Sequence, residues 1–184
     1  ILIAGVNGAG KSTLYQSLQS LQGMPRVNTD EILRDFGDWR NMADVMTAGK
    51  IAVKKIARYF DEGITFNQET TLCGKSIINN ITKAKNRGFF IELHYIGVES
   101  ADIAKERVAG RMKQGGHGIA EQDIERRYIE TFDNLKTVLP ECDLAAFYDN
   151  TIEFRRFAIY KSGSPVRISH HIPDWYERFV ADMT

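Results

Sequence analysis

The chain has 184 residues, of which 43% are hydrophobic and 26% charged, and its 24 basic side chains balance its 24 acidic ones. This composition is ordinary for a globular domain, and the zero net charge gives no sign of a nucleic-acid or membrane partner. No apolar run is long enough to cross a membrane. With Cys73 and Cys142 alone we expect neither a disulfide framework nor a metal cluster, which is typical of a cytoplasmic protein.

Strand and helix patterns alternate along the chain, which predicts an α/β fold with a five-stranded parallel sheet flanked by helices. In chain order, the predicted elements are strand 1–4, helix 11–22, strand 25–28, helices 30–36 and 41–61, strand 64–68, helix 76–87, strand 89–95, helices 101–113 and 121–139, and strand 144–148. The tail predicts a β-hairpin of residues 154–161 and 166–169, followed by a last helix that starts at Pro173.

A phosphate-binding motif follows the first strand. Residues 5–12, Gly-Val-Asn-Gly-Ala-Gly-Lys-Ser, match the pattern Gly-x-x-x-x-Gly-Lys-[Ser/Thr]. Glycines let consecutive N–H groups converge on phosphate oxygens, Lys11 can reach the β- and γ-phosphates, and Ser12 can offer its hydroxyl to Mg²⁺. The alternative is a glycine-rich turn without a ligand. We predict a site for ATP and Mg²⁺ whose members are Gly5, Asn7, Gly8, Ala9, Gly10, Lys11, Ser12 and Thr13, and we expect Lys11 to be exposed.

Polar side chains follow the predicted strands at their carboxyl ends, where ligands gather in open α/β sheets. Asp30 follows the second strand, residues 69–71 the third, and Asp149 and Asn150 the fifth. A carboxylate beside a γ-phosphate can accept the proton of an attacking hydroxyl, and we choose Asp30 for that role. Asp30 is equally well placed to cap the helix that begins there. Residues 69–71 predict contacts with substrate hydroxyls or Mg²⁺, or a loop that satisfies its own backbone.

Arginines flank a glycine-rich break at residues 114–118. They are Arg107, Arg111, Arg126 and Arg127. Two helices joined by such a turn predict a lid over residues 107–127 that neutralises phosphate charge and is held loosely without nucleotide. The alternative is a solvated face whose arginines pair with glutamates. His117 is interpreted as a lid-turn residue rather than a metal ligand, because no His or Cys lies nearby at ligand spacing.

The ordered set of motifs resembles the zeta-toxin-like P-loop kinases, in particular their shorter bacterial branch. The matching stretches are 5–12, 28–30, 69–72, 107–111 with 115–117, 126–128 and 148–150. The resemblance implies one P-loop kinase-like domain over residues 1–184, a sheet of order 2-3-1-4-5 and ATP-dependent phosphorylation of a hydroxyl. In zeta toxins the acceptor is a UDP-activated N-acetylamino sugar, mainly UDP-N-acetylglucosamine, and an antitoxin protein is a possible partner.

The resemblance also implies roles for particular side chains. By that likeness Asp30 is the general base, while Lys11, Arg111 and Arg127 stabilise the γ-phosphate. Glu69 and Thr71 would contact the substrate. Two alternatives stay open at this point: a P-loop ATPase or nucleotide switch that acts through a protein partner, and a kinase for another small metabolite.

Overall fold

A mixed seven-stranded sheet runs through the protein, in the order β2-β3-β1-β4-β5-β6-β7. The structure is a computed structural model and describes residues 1–181. The strands are β1 (Leu2–Ala4), β2 (Arg26–Val27), β3 (Asn67–Thr70), β4 (Glu92–Gly97), β5 (Leu144–Asp149), β6 (Arg155–Lys161) and β7 (Ser164–Ile168). The α-helices are α1 (Lys11–Ser17), α2 (Gln19–Gln22), α3 (Thr29–Arg34), α4 (Met42–Asp61), α5 (Lys75–Asn86), α6 (Ala101–Lys113), α7 (Glu121–Val138) and α8 (Asp174–Phe179).

The first five strands confirm the expected parallel order 2-3-1-4-5. The predicted hairpin is present as β6 and β7, but it joins the same sheet and extends it from the expected five strands to seven, with β6 antiparallel to β5 and β7 antiparallel to β6. Because the five parallel strands point the same way, their carboxyl ends share one edge of the sheet. None of the helices within residues 1–181 is long and apolar enough to span a bilayer.

Several predicted boundaries are wrong, and aromatic packing accounts for two of them. The third and fourth strands lie further along the chain than expected, at Asn67–Thr70 and Glu92–Gly97. Phe66 and Phe89, which precede these strands, pack against Phe60 at ring-centroid distances of 5.6 and 5.5 Å. These apolar residues therefore cover helix α4 rather than extend the sheet.

The first predicted helix is also interrupted. Leu18 is extended, at φ −104° and ψ 95°, and separates α1 from α2. Its amide still donates to the carbonyl of Leu14 at 3.2 Å, which ends α1. The break leaves α1 as a short helix that carries the end of the phosphate loop.

The tail helix α8 locks the carboxyl end of β5 in place. Trp175 is fully buried, and its indole Nε1 donates to the Asp149 carboxylate at 3.0 Å. Gly97 leaves room for the indole, since a Cβ there would stand 2.4 Å from the Trp175 ring. The tail thereby fixes residues next to the predicted phosphate loop.

Candidate functional site

A cleft of about 770 Å³ opens at the carboxyl ends of the parallel strands. It is bounded by the loop after β1, the start of α3, the end of β3, and the facing sides of α6 and α7. The sequence-predicted site residues that line it are Asn7, Gly8, Gly10, Lys11, Ser12, Thr13, Asp30, Glu69, Thr71, Arg111 and Arg127. Gly5 and Ala9 are buried behind the loop instead. One cleft therefore brings together residues separated by more than a hundred positions in the chain.

The phosphate loop has the backbone that the motif predicts. Gly8 and Gly10 have φ angles of 81° and 104°, in the left-handed region that side chains disfavour. A Cβ on Gly10 would also stand 2.4 Å from Asn150 Nδ2. Asn150 braces the loop from β5, because its Nδ2 donates to the Ala9 carbonyl at 2.8 Å.

Lys11 is buried, contrary to the expectation that it would be exposed. Its side chain folds back onto the loop, where Nζ donates to the carbonyls of Gly5 and Val6 at 2.9 and 3.0 Å. Burial lowers the pKa of Lys11, while the nearby carboxylates of Glu69 and Asp30 act to raise it. The ammonium therefore lies at the cleft, close enough to both carboxylates for their charges to act on its pKa.

Glu69 lies at the end of β3 and faces the P-loop serine. Its carboxylate oxygens are 3.3 and 3.4 Å from Ser12 Oγ, which donates to them. Arg26 Nη2 donates to Glu69 at 2.6 Å, and Asn28 Nδ2 donates to it at 3.1 Å. The Arg26 guanidinium in turn lies 3.6 Å from the centre of the Tyr15 ring. The alternative that residues 69–71 only satisfy their own backbone does not hold for Glu69, because Arg26 and Asn28 hold its carboxylate beside Ser12.

Asp30 lies in the first turn of α3 and does not cap it. The cap is Asn28, whose Oδ1 accepts from the amides of Asp30 and Glu31 at 2.9 and 3.3 Å. The alternative prediction, that Asp30 caps the helix, is therefore wrong. Its carboxylate reaches the cleft, and Oδ1 is 3.6 Å from Nε2 of His117. The sequence alone does not distinguish Asn28 from Asp30 as the cap of this helix, because Asn and Asp are equally good cap formers.

Three of the four predicted lid arginines line the cleft. Arg107 Nη2 donates to the Thr151 carbonyl at 3.1 Å, Arg111 Nε to the His117 carbonyl at 2.9 Å, and Arg127 Nη1 to Asn7 Oδ1 at 3.1 Å. Among the described residues, Arg107 Nη1 and Arg111 Nη2 are buried and have no hydrogen-bond partner. A buried unpaired donor is costly, so both guanidinium groups would be stabilised by turning toward an acceptor in the cleft.

Arg126 belongs to the other side of its helix. It pairs with Asp123 at 2.9 Å and with Glu130 at 2.7 Å, and its side chain is 58% exposed. For this residue the interpretation as a solvated, salt-bridged face is right. Adjacent positions on α7 point about 100° apart, which is why Arg127 reaches the cleft and Arg126 does not.

No protein-family model matches the chain. An uncharacterized protein of Haemophilus influenzae is 34% identical over 128 residues, which cover 70% of this chain and 91% of that protein.

Two solved structures share the fold across nearly the whole chain. A chain of the AvrRxo1-ORF1:-ORF2 complex with ATP superposes with a TM-score of 0.69 at 14% identity, over 97% of this chain and 62% of that one. A chain of the PezAT toxin–antitoxin system of Streptococcus pneumoniae superposes with a TM-score of 0.62 at 16% identity, over 100% of this chain and 75% of that one. The chain thus spans less than two thirds of the AvrRxo1 complex chain.

Proposed function

We propose that this chain is an ATP-dependent phosphotransferase that acts on a hydroxyl of a small molecule. The chain belongs to one family with the Haemophilus influenzae protein and has the fold of the zeta-toxin-like P-loop kinases. One observation carries the proposal. A single cleft contains the P-loop lysine Lys11, the Asp30 carboxylate and the guanidinium groups of Arg107, Arg111 and Arg127. These are the groups that phosphoryl transfer needs: donors for phosphate oxygens, and a carboxylate to take a proton.

The donor side of the cleft suits a nucleoside triphosphate. Backbone N–H groups of the loop around Gly8 and Gly10 form an anion nest, and Lys11 turns from the loop carbonyls to the β- and γ-phosphates. The unpaired nitrogens of Arg107 and Arg111 then gain phosphate oxygens as acceptors. Arg127 adds a further positive charge, which favours the transition state because negative charge accumulates between donor and acceptor.

The residues beside Ser12 fit Mg²⁺. Its hydroxyl and the Glu69 carboxylate present oxygen ligands at one point of the cleft, and oxygen is the ligand that this ion prefers. Within residues 1–181 no group of three or more His, Cys, Asp and Glu side chains could hold a metal ion. Bound Mg²⁺ would therefore take phosphate and water oxygens as its remaining ligands and neutralise phosphate charge.

Asp30 is assigned the general base. It accepts the proton of the acceptor hydroxyl as the new O–P bond forms and the bond from the γ-phosphorus to ADP breaks. Thr71 and Glu69 also line the cleft and are assigned contacts with the acceptor.

The acceptor proposed for the first test is UDP-N-acetylglucosamine. Beside Asp30, the cleft wall contains Trp39, Met42 and Val45, an apolar surface with an indole ring that suits a planar base. ATP as donor supports a cytoplasmic location. Because the chain shares its fold with a component of a toxin–antitoxin system, we also propose an antitoxin-like protein as its partner.

The decisive assay is ATP turnover with and without a panel of sugar nucleotides and other hydroxylated metabolites, followed by mass spectrometry of the products. A kinase gives a product heavier by one phosphoryl group and ADP in equal amount. Slow hydrolysis of ATP that no acceptor accelerates would contradict the proposal and favour a nucleotide switch. A phosphorylated product from a metabolite other than a sugar nucleotide would support the phosphotransferase activity but contradict UDP-N-acetylglucosamine as the acceptor.

A further inference from the structure

A histidine of the lid turn lies opposite the proposed base. His117, between α6 and α7, has its Nε2 3.6 Å from Asp30 Oδ1 across the cleft. Its ring also lies against Trp39, with centroids 5.7 Å apart and planes tilted by 54°. His117 therefore connects the lid to the acceptor side of the cleft at the point where the carboxylate lies.

The backbone around His117 is built to hold the ring there. Arg111 Nε donates to the His117 carbonyl at 2.9 Å. A Cβ on Gly116 would stand 2.5 Å from Arg111 Cγ, and a Cβ on Gly118 would stand 2.8 Å from the Trp39 ring. A side chain at position 116 would push Arg111 aside, and one at position 118 would push Met112 and Trp39 aside, so the two glycines allow the turn to pack this closely.

Burial, assisted by nearby guanidinium groups, lowers the pKa of His117 and keeps its imidazole neutral near pH 7. Burial is the largest effect and lowers its pKa, while the Asp30 carboxylate on α3 raises it. The guanidinium groups of Arg111 on α6, Arg34 on α3 and Arg127 on α7 also lower it. A neutral imidazole that carries its proton on Nε2 is a hydrogen-bond donor toward Asp30.

We propose that His117 is a positioning residue, which donates from Nε2 to one oxygen of Asp30 and leaves the other free to accept the proton of the acceptor hydroxyl. The role rests on the proposed function. The 3.6 Å separation is longer than a hydrogen bond, and such contacts in active sites commonly tighten when substrate binds. Once protonated, the imidazolium would form an ion pair with Asp30 and compete with the acceptor. We therefore expect turnover to fall as His117 takes up its proton at acidic pH.

The test compares the wild type with His117→Ala and His117→Gln, using Mg·ATP and the acceptor that the product assay identifies. His117→Ala should lower kcat about 10- to 100-fold, the effect of a misplaced catalytic group, with little change in KM for ATP. His117→Gln should recover most of kcat at pH 7.5, because its amide also donates, and the acidic fall in turnover should move to lower pH. A wild-type kcat and pH profile in His117→Ala would overturn the proposal. So would a His117→Gln variant as slow as the alanine variant with the acidic limb unchanged.

A second measurement needs no acceptor and separates this proposal from the proposed function. The imidazole of His117 is titrated by NMR in the free wild-type protein and in Asp30→Asn. Because the Asp30 charge raises the pKa of His117, the asparagine variant should titrate at lower pH. An unchanged titration would overturn the pairing whatever the enzyme does. A shifted titration together with no transfer to any acceptor would instead reject the phosphotransferase and, with it, the catalytic purpose of the pair.

Discussion

Replacing Asp30 by asparagine separates a catalytic carboxylate from a structural one. The side chain is 42% exposed, and Asn28 rather than Asp30 caps α3. What the substitution removes from the fold is a negative charge near the helix N-terminus, which is worth about 0.3–1 kcal/mol. In a domain of this size that lowers the melting temperature by at most about 4 °C. Loss of a general base should lower kcat about 10²- to 10⁴-fold.

The matched control is the neighbouring cap. Asn28→Ala removes the acceptor for two backbone amides and a donor to the Glu69 carboxylate. Loss of the cap costs about 1 kcal/mol and loss of the charged hydrogen bond about 1.5–3 kcal/mol, so the free energy of unfolding should fall by roughly 2.5–4 kcal/mol. Asn28→Ser keeps a cap acceptor and should recover the first part of that loss.

The assay is urea unfolding of the three variants beside steady-state transfer from Mg·ATP. We expect Asp30→Asn to be stable and inactive, and Asn28→Ala to be destabilised. The opposite pattern for Asp30→Asn, a loss of several kcal/mol with near-normal turnover, would refute the reasoning. In that case the carboxylate supports α3 and some other group takes the proton.

Substitutions at four further residues, with one control, test other parts of the cleft and the fold. Lys11→Met should abolish transfer and lower the melting temperature by no more than a few degrees. The fold loses little because the ammonium that the substitution removes is buried at a cost in free energy. Normal transfer by this variant would count against the P-loop assignment. Arg111→Ala and Arg127→Ala should each lower kcat more than nucleotide affinity measured by calorimetry, whereas the control Arg126→Ala should behave as wild type. Trp175→Ala should cost about 3–5 kcal/mol in urea unfolding, since the ring is fully buried, and a loss below 1 kcal/mol would contradict its role as the anchor of the tail.

The features that could be predicted from the sequence are those set by neighbours in the chain. The loop of residues 5–12 was predicted because a strand, a glycine pattern and a helix follow one another locally. Alternating strand and helix patterns were enough for the fold class. The order of the parallel strands came from a resemblance, since no local pattern contains it.

The sequence could not show the direction in which a side chain points, or the contacts between residues that lie far apart in the chain. Lys11 is buried because loop carbonyls attract its ammonium, and the side chain's path is absent from any spacing pattern. Arg26 and Glu69 meet across two strands, 43 residues apart in the chain, and neither residue type specifies the other. His117 lies in the turn between α6 and α7, and its contact with Asp30 on α3 forms only when the chain is folded.

The central claim is that one cleft transfers the γ-phosphoryl group of ATP with Asp30 as the base. Its most direct test is a single-turnover experiment with γ-labelled Mg·ATP and the identified acceptor, in which wild type and Asp30→Asn are first shown to bind nucleotide equally. The account predicts that label appears on the acceptor in the wild type at least about 100-fold faster than in the variant. Equal rates of labelled product in both proteins, or label that appears only as free phosphate, would contradict it.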